Sequence, residues 1–115
     1  MWIFTSQAFL SIVKDRNHPE RRLVRARCQG DIESAFPDAE VFQDPEADYR
    51  FRAFLPVAEV EKWLADYVQT MDYTNFKNSI PPGKEEYHQA CTWVWSRMME
   101  LQKPKHEPPE AQSSS

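Results

Sequence analysis

YRFRAFLPVAEVEKWLADYVQTM, residues 49–71, decides the fold. Its opening residues alternate. Tyr49, Phe51, Ala53 and Leu55 fall on one side, Arg50, Arg52 and Phe54 on the other, the period-two pattern of a strand with one buried face. Pro56 stops the strand, and the period then changes. Val57, Val60, Trp63, Leu64, Tyr67, Val68 and Met71 recur at three- and four-residue intervals, opposite Glu59, Glu61, Lys62, Asp66 and Gln69. That spacing predicts an amphipathic helix over 57–71. A half-buried strand running straight into an amphipathic helix points to a sheet with helices packed on one face.

The residues upstream extend the sheet. Segments 2–5 and 9–15 are rich in branched and aromatic types and predict strands. The polar, proline-bearing run 16–21 predicts a hairpin loop. Over 22–28, Leu23, Arg25 and Arg27 alternate with Val24, Ala26 and Cys28, so this strand carries arginines on one face. Gly30 and Asp31 end it and start a short helix over 31–36, closed by Pro37. Val41 and Phe42 mark a short strand before the turn at 44–48. The Arg-Ala pairs Arg25-Ala26 and Arg52-Ala53 each precede a helix, an echo that suggests two hairpin-plus-helix units. The expected fold is α+β, an antiparallel sheet of four or five strands built from such units.

Downstream, Asp72 is placed to cap a further short helix with Tyr73, Phe76 and Ile80 inward. Pro81-Pro82-Gly83 breaks the chain. A last helix over 84–102 sets Tyr87, Cys91, Val94, Trp95, Met98 and Leu101 on one stripe. Trp63, Tyr67, Tyr87, Trp93 and Trp95 read mainly as core. Trp93 lies off its helix's stripe, either packed under a neighbouring helix or exposed as an anchor for a partner. The Pro-, Glu- and Ser-rich residues 103–115 predict a disordered tail, leaving one domain over 1–102.

Composition narrows the function classes. No apolar run approaches a membrane span, and the first residues lack the pattern of a secretory signal, so the cytoplasm, of a cell or of an infected cell, is the expected location and no membrane is expected as a partner. Cys28 and Cys91 and the scattered His18, His88 and His106 have no metal-ligand spacing, and no cofactor or metal is expected. With only Gly30 and Gly83, a phosphate-cradling glycine loop is excluded. Net charge is −4, but it is unevenly spread. Lys14 to Arg27 holds six basic residues against two acids, and Asp31 to Asp48 holds seven acids and no base.

Four constellations carry chemistry. Arg25, Arg27, Arg50 and Arg52 form an arginine face on two strands; planar guanidiniums there suit a phosphate or a nucleic-acid backbone, with Phe54 beside them for stacking. The plainer alternative is a solvated face with cross-strand ion pairs. Asp72-Tyr73-Thr74-Asn75-Phe76-Lys77 offers a polar pocket, or ordinary helix capping, and Asp48 is a further candidate to converge with Tyr73 and Lys77 on the arginines. Asp31, Glu33, Asp38, Glu40, Asp44, Glu46 and Asp48 imitate a phosphate backbone, or keep a sheet edge soluble. His88 and Cys91, adjacent on a helix, pair a base with a thiol, although Cys91 falls on the apolar stripe and reads as packed.

Met1 to Thr5, Ser11 to Val13, Asp15-Arg16, Leu23 to Arg27, Asp48 to Ala53, Asp72-Tyr73, Asn75 to Lys77, Tyr87 and Val94-Trp95 together resemble a family of small bacterial and phage-type proteins with no established activity. The resemblance spans most of residues 1–100. It implies a mobile-element protein, and among such proteins inhibitors of host defence are an expected class.

The leading expectation is therefore a non-catalytic protein-binding or regulatory module with a protein partner, in the form of a mobile-element inhibitor. The alternative is an arginine-lined nucleic-acid or phospholigand binder. A small enzyme using Asp48, Arg52, Asp72 and Lys77 ranks third, because no catalytic motif supports it.

Overall fold

A computed structural model of the chain describes residues 1–103. Over these, the elements are β1 (Trp2–Phe4), β2 (Phe9–Lys14), β3 (Arg21–Ala26), α1 (Asp31–Ala35), β4 (Phe42–Gln43), β5 (Phe51–Pro56), α2 (Val57–Gln69), a 3-10 turn (Lys77–Ser79) and α3 (Glu85–Gln102). The expected tail lies outside the described residues except for Lys103. The chain divides at Pro81–Pro82 into two compact units. One carries the whole sheet and the other α3, so the segment read as one domain over 1–102 is described in two parts.

The fold is α+β. Five antiparallel strands among the described residues form an open sheet in the order β1-β2-β3-β5-β4. The order 2-3-5-4 reads the same from either side of the β3–β5 seam, and β3 and β5 are each followed by a helix. This is the two-unit arrangement that the Arg-Ala echo suggests. Leu10, Ile12, Val24, Ala26, Phe51, Ala53 and Leu55 point to one face, where Ile32 and Phe36 from the α1 segment and Val60 of α2 close the core. Trp63 packs against this cluster and meets Phe36 at 5.1 Å.

Two local devices hold the hairpins. Thr5 Oγ1 accepts the Gln7 and Ala8 N–H groups and donates to the Ala8 carbonyl, closing the β1–β2 turn. In the β2–β3 loop, buried Asp15 accepts the Asn17 N–H on one oxygen and Arg21 Nε and Nη2 on the other, at 2.8 and 2.6 Å. A carboxylate and a guanidinium engaged through two nitrogens form a strong charge-assisted contact.

The structure departs from the sequence reading at several places. Val68 and Met71 are exposed. At about 100° per residue Val68 sits about 80° from Val60, at the flank of the stripe, and Met71 lies past the helix end at Gln69. Asp72 starts no helix. Asn75 supplies the acceptor instead, its Oδ1 taking the Asn78 N–H at 3.1 Å above the single 3-10 turn. Strand β3 ends at Ala26, so Cys28 has left the inward alternation and is exposed. In α3, Cys91 is the buried residue, whereas Trp93, Trp95, Met98 and Leu101 are exposed and do not form core.

Asp15 gives the fold a pH dependence of known sign. The Asn17 N–H first, and Arg21 next, hold its carboxyl below the ordinary 3.8, against the opposing effect of burial. A depressed carboxylate stabilises the folded state above its unfolded pKa, and that contribution disappears as pH falls through the folded value. Thermal melting of Asp15→Asn against the parent is therefore expected to show a deficit at neutral pH that narrows as pH drops below about 3.8. A deficit unchanged down to acid denaturation would mean that Asp15 acts by shape rather than charge.

Candidate anion-binding face

The sheet side opposite α1 and α2 carries the arginines. Strand register builds a row across all five strands on that side: Trp2 opposite Ser11, Ser11 opposite Arg25, Arg25 opposite Arg52, Arg52 opposite Phe42. Two arginines occupy its centre, with an exposed aromatic at each end. With strands about 4.8 Å apart, the row is about 19 Å wide.

The guanidiniums gather around one residue, Tyr49. Arg25 and Arg27 each place Cζ 4.5 Å from the centroid of Tyr49, and Arg52 Nη1 donates to the Tyr49 carbonyl at 3.1 Å. Arg25 Nη2 also donates to Ser11 Oγ at 2.7 Å, while its buried Nε has no hydrogen-bond partner. Tyr49 is itself 4% exposed, so the ring is a fixed support. Phe9 approaches it at 6.4 Å and in turn stacks on Phe4 and meets Trp2 edge-on. None of Arg25, Arg27 and Arg52 has an ion-pair partner among the described residues. The cross-strand charge pairs that would make this a passive face are not there.

Like charges set directly opposite in a sheet are destabilising. Arg25 and Arg52 are so placed, and their charges are spread by the Tyr49 ring, the Ser11 hydroxyl and the Tyr49 carbonyl rather than cancelled. Such a cluster suits an anion that brings several oxygens.

The other residues singled out by sequence divide. Asp48 lies beside the cluster, where its Oδ1 accepts the Tyr49 N–H. Arg50 precedes β5 and is drawn sideways, donating to Gln43 Oε1 at 2.9 Å rather than to the ring. Tyr73 is engaged elsewhere. It lies 6.0 Å from Phe76 and bonds to Tyr67; burial, and then that bond, push its phenol up. Asn75 is occupied by its turn, and Lys77 opens the 3-10 turn. Among the described residues His88 and Cys91 form no base–thiol pair. The Cys91 thiol is pushed up by burial, and its hydrogen-bond neighbour is Tyr87. Among the described residues no cluster of three His, Cys, Asp or Glu could hold a metal, and no helix is long and apolar enough to cross a membrane.

Sequence reasoning missed Tyr49, Ser11 and Trp2 as members of the face. Counting alternation back from Phe51 sends Tyr49 inward, but β5 begins at Phe51. The signal was in the register: pairing Arg25 with Arg52 brings residue 27 alongside 49 and 50. Comparison with protein-family models, curated proteins and solved structures gives no match.

Because the ring face rather than the hydroxyl holds the guanidiniums, Tyr49→Phe is expected to change stability by no more than about 0.5 kcal/mol. Tyr49→Ala is expected to cost about 3–5 kcal/mol, the range for truncating a buried aromatic. Urea unfolding of both variants checks this, and equal losses would place the support in the hydroxyl.

Proposed function

We propose that the arginine row binds single-stranded nucleic acid. The observation that carries this reading is the convergence of Arg25, Arg27 and Arg52 on Tyr49 with no carboxylate partner among the described residues. Three guanidiniums supply phosphate contacts, and exposed Trp2 at one end of the row supplies a stacking surface. Aromatic stacking combined with a basic track is how sequence-tolerant single-strand binding is achieved. An open sheet side with strands underneath also keeps the contacts on a rigid support.

The test is fluorescence anisotropy of a labelled single-stranded oligonucleotide of mixed sequence, titrated across salt. Three phosphate contacts predict a slope of log affinity against log salt near −2, and Arg52→Gln is expected to reduce its magnitude by about 0.7. Trp2→Ala is expected to lose about 1–3 kcal/mol of affinity. Absence of binding at low salt, or binding untouched in an Arg25→Gln, Arg52→Gln double variant, defeats the reading. A mononucleotide that competes as well as the oligonucleotide would reassign the face to a small phospholigand.

A protein-binding module is the second reading, and a different observation favours it. In α3, Trp93, Met98 and Leu101 are 66%, 58% and 70% exposed. Large apolar side chains grouped on a helix are the usual anchors of a protein interface. Met98→Asp with Leu101→Asp is expected to leave the melting temperature unchanged and to remove any specifically co-purifying partner. A partner retained by that variant excludes α3 as its docking surface.

A further inference from the structure

Beside the arginine row, at the β4 edge, lies a groove of about 780 Å³ lined by Arg21, Asp38, Glu40, Phe42, Phe54 and Glu59 among others. Its chemistry is opposite to that of the row. Asp38 and Glu40 come from the segment before β4, and Glu59 comes from the first turn of α2, so two separate elements turn carboxylates to one space. These three have no ion-pair partner among the described residues. The one base in the lining, Arg21, is already neutralised by Asp15.

The aromatic lining is the independent observation. Phe42 and Phe54 stack at 5.8 Å across β4 and β5, yet each remains over 40% exposed. An exposed pair of phenyl rings on a sheet edge gains nothing from water. Phe54 already carries the guanidinium of Arg21, 4.6 Å from its centroid. That contact shows within this molecule that the ring accepts a guanidinium on its face, a geometry stabilised by the ring quadrupole. Carboxylates around aromatic faces are complementary to a cation that has both charge and a flat, weakly hydrated surface, which describes arginine better than lysine.

We infer that this groove is a docking site for an arginine-bearing peptide segment of a partner protein, with the guanidinium against Phe42 and Phe54 and paired to Asp38, Glu40 or Glu59. The site adjoins the arginine row and shares Phe42 with its end, but its charge is of the opposite sign, so the row suits an anion and the groove a cation. The plainer use of the same carboxylates, guarding the β4 edge against strand pairing, makes a different prediction, because it does not involve the phenyl rings.

The probe is a short fluorescein-labelled peptide of alternating arginine and serine, titrated by anisotropy into the full chain. Asp38→Asn, Glu40→Gln and Glu59→Gln together are expected to weaken binding by about tenfold or more. Neutralising the same number of acids elsewhere, with Glu33→Gln, Glu61→Gln and Glu86→Gln, is expected to change it by less than about twofold. Phe54→Ser, which leaves net charge untouched, is expected to weaken binding of this peptide about three- to tenfold. Equal losses in the two triple variants would reduce the effect to net charge, and unchanged binding in Phe54→Ser would remove the aromatic site; either overturns the inference. Melting curves confirm that each variant is folded.

Discussion

The register between β3 and β5 is the constraint on which the rest depends. Val24 and Ala53 lie opposite each other and both are fully buried under the helices. A slip of one residue would turn every side chain of the strand to the other face. Arg25 would then enter the core and Val24 would leave it. Burial therefore fixes the pairing, and the pairing sets Arg25 opposite Arg52 whether or not two positive charges favour it. The polar face is a consequence of the apolar one.

What relieves the like-charge contact is also what shapes the candidate site. Tyr49 sits just before β5, where the chain leaves the turn that begins at Asp44, and the Asp44 N–H donates to the Arg50 carbonyl across that turn. The ring is thereby held where Arg25 and Arg27 both reach it, and its carbonyl faces Arg52. Contacts with a ring face and neutral oxygens spread the charges while leaving them uncancelled. An ion pair would have used them up, as Asp15 does for Arg21 at the other end of the same strand. Within β3, then, one arginine is structural and another is left available for an external anion.

Much of this was legible in the chain. Alternation over 22–28 and 49–55 gave the two central strands and their arginine faces, and the change of period at Pro56 gave α2 at its observed start. The Arg-Ala echo anticipated the symmetric seam. The losses occurred where an element ends or where two elements meet. Tyr49 and Cys28 each lie two residues outside their strands, so alternation no longer governs them. Asp72 competes with Asn75 for the role of turn acceptor, and composition does not rank the two. The groove joins Asp38 and Glu40 to Glu59 through the packing of α2 against the sheet, and no local pattern encodes that meeting. The stripe on α3 has helical spacing regardless of what it packs against, and periodicity alone does not separate core from interface.

A net charge of −4 does not count against an anion site on this molecule, because its charges are segregated rather than mixed. At physiological salt a charge is screened beyond about 8 Å. The arginine row is about 19 Å wide, so a phosphate at its centre meets mainly the potential of Arg25, Arg27 and Arg52, offset in part by the Asp48 carboxylate beside Tyr49. The exposed acids of Asp38, Glu40 and Glu59 line a different surface beyond Phe42. If the row binds a strand as proposed, segregation would also give the acids a role in orientation. Carboxylates at one edge of the row would repel a strand that lies too far toward β4 and favour one that runs toward Trp2. Charge placement, rather than net charge, sets how an anionic chain would lie on this sheet.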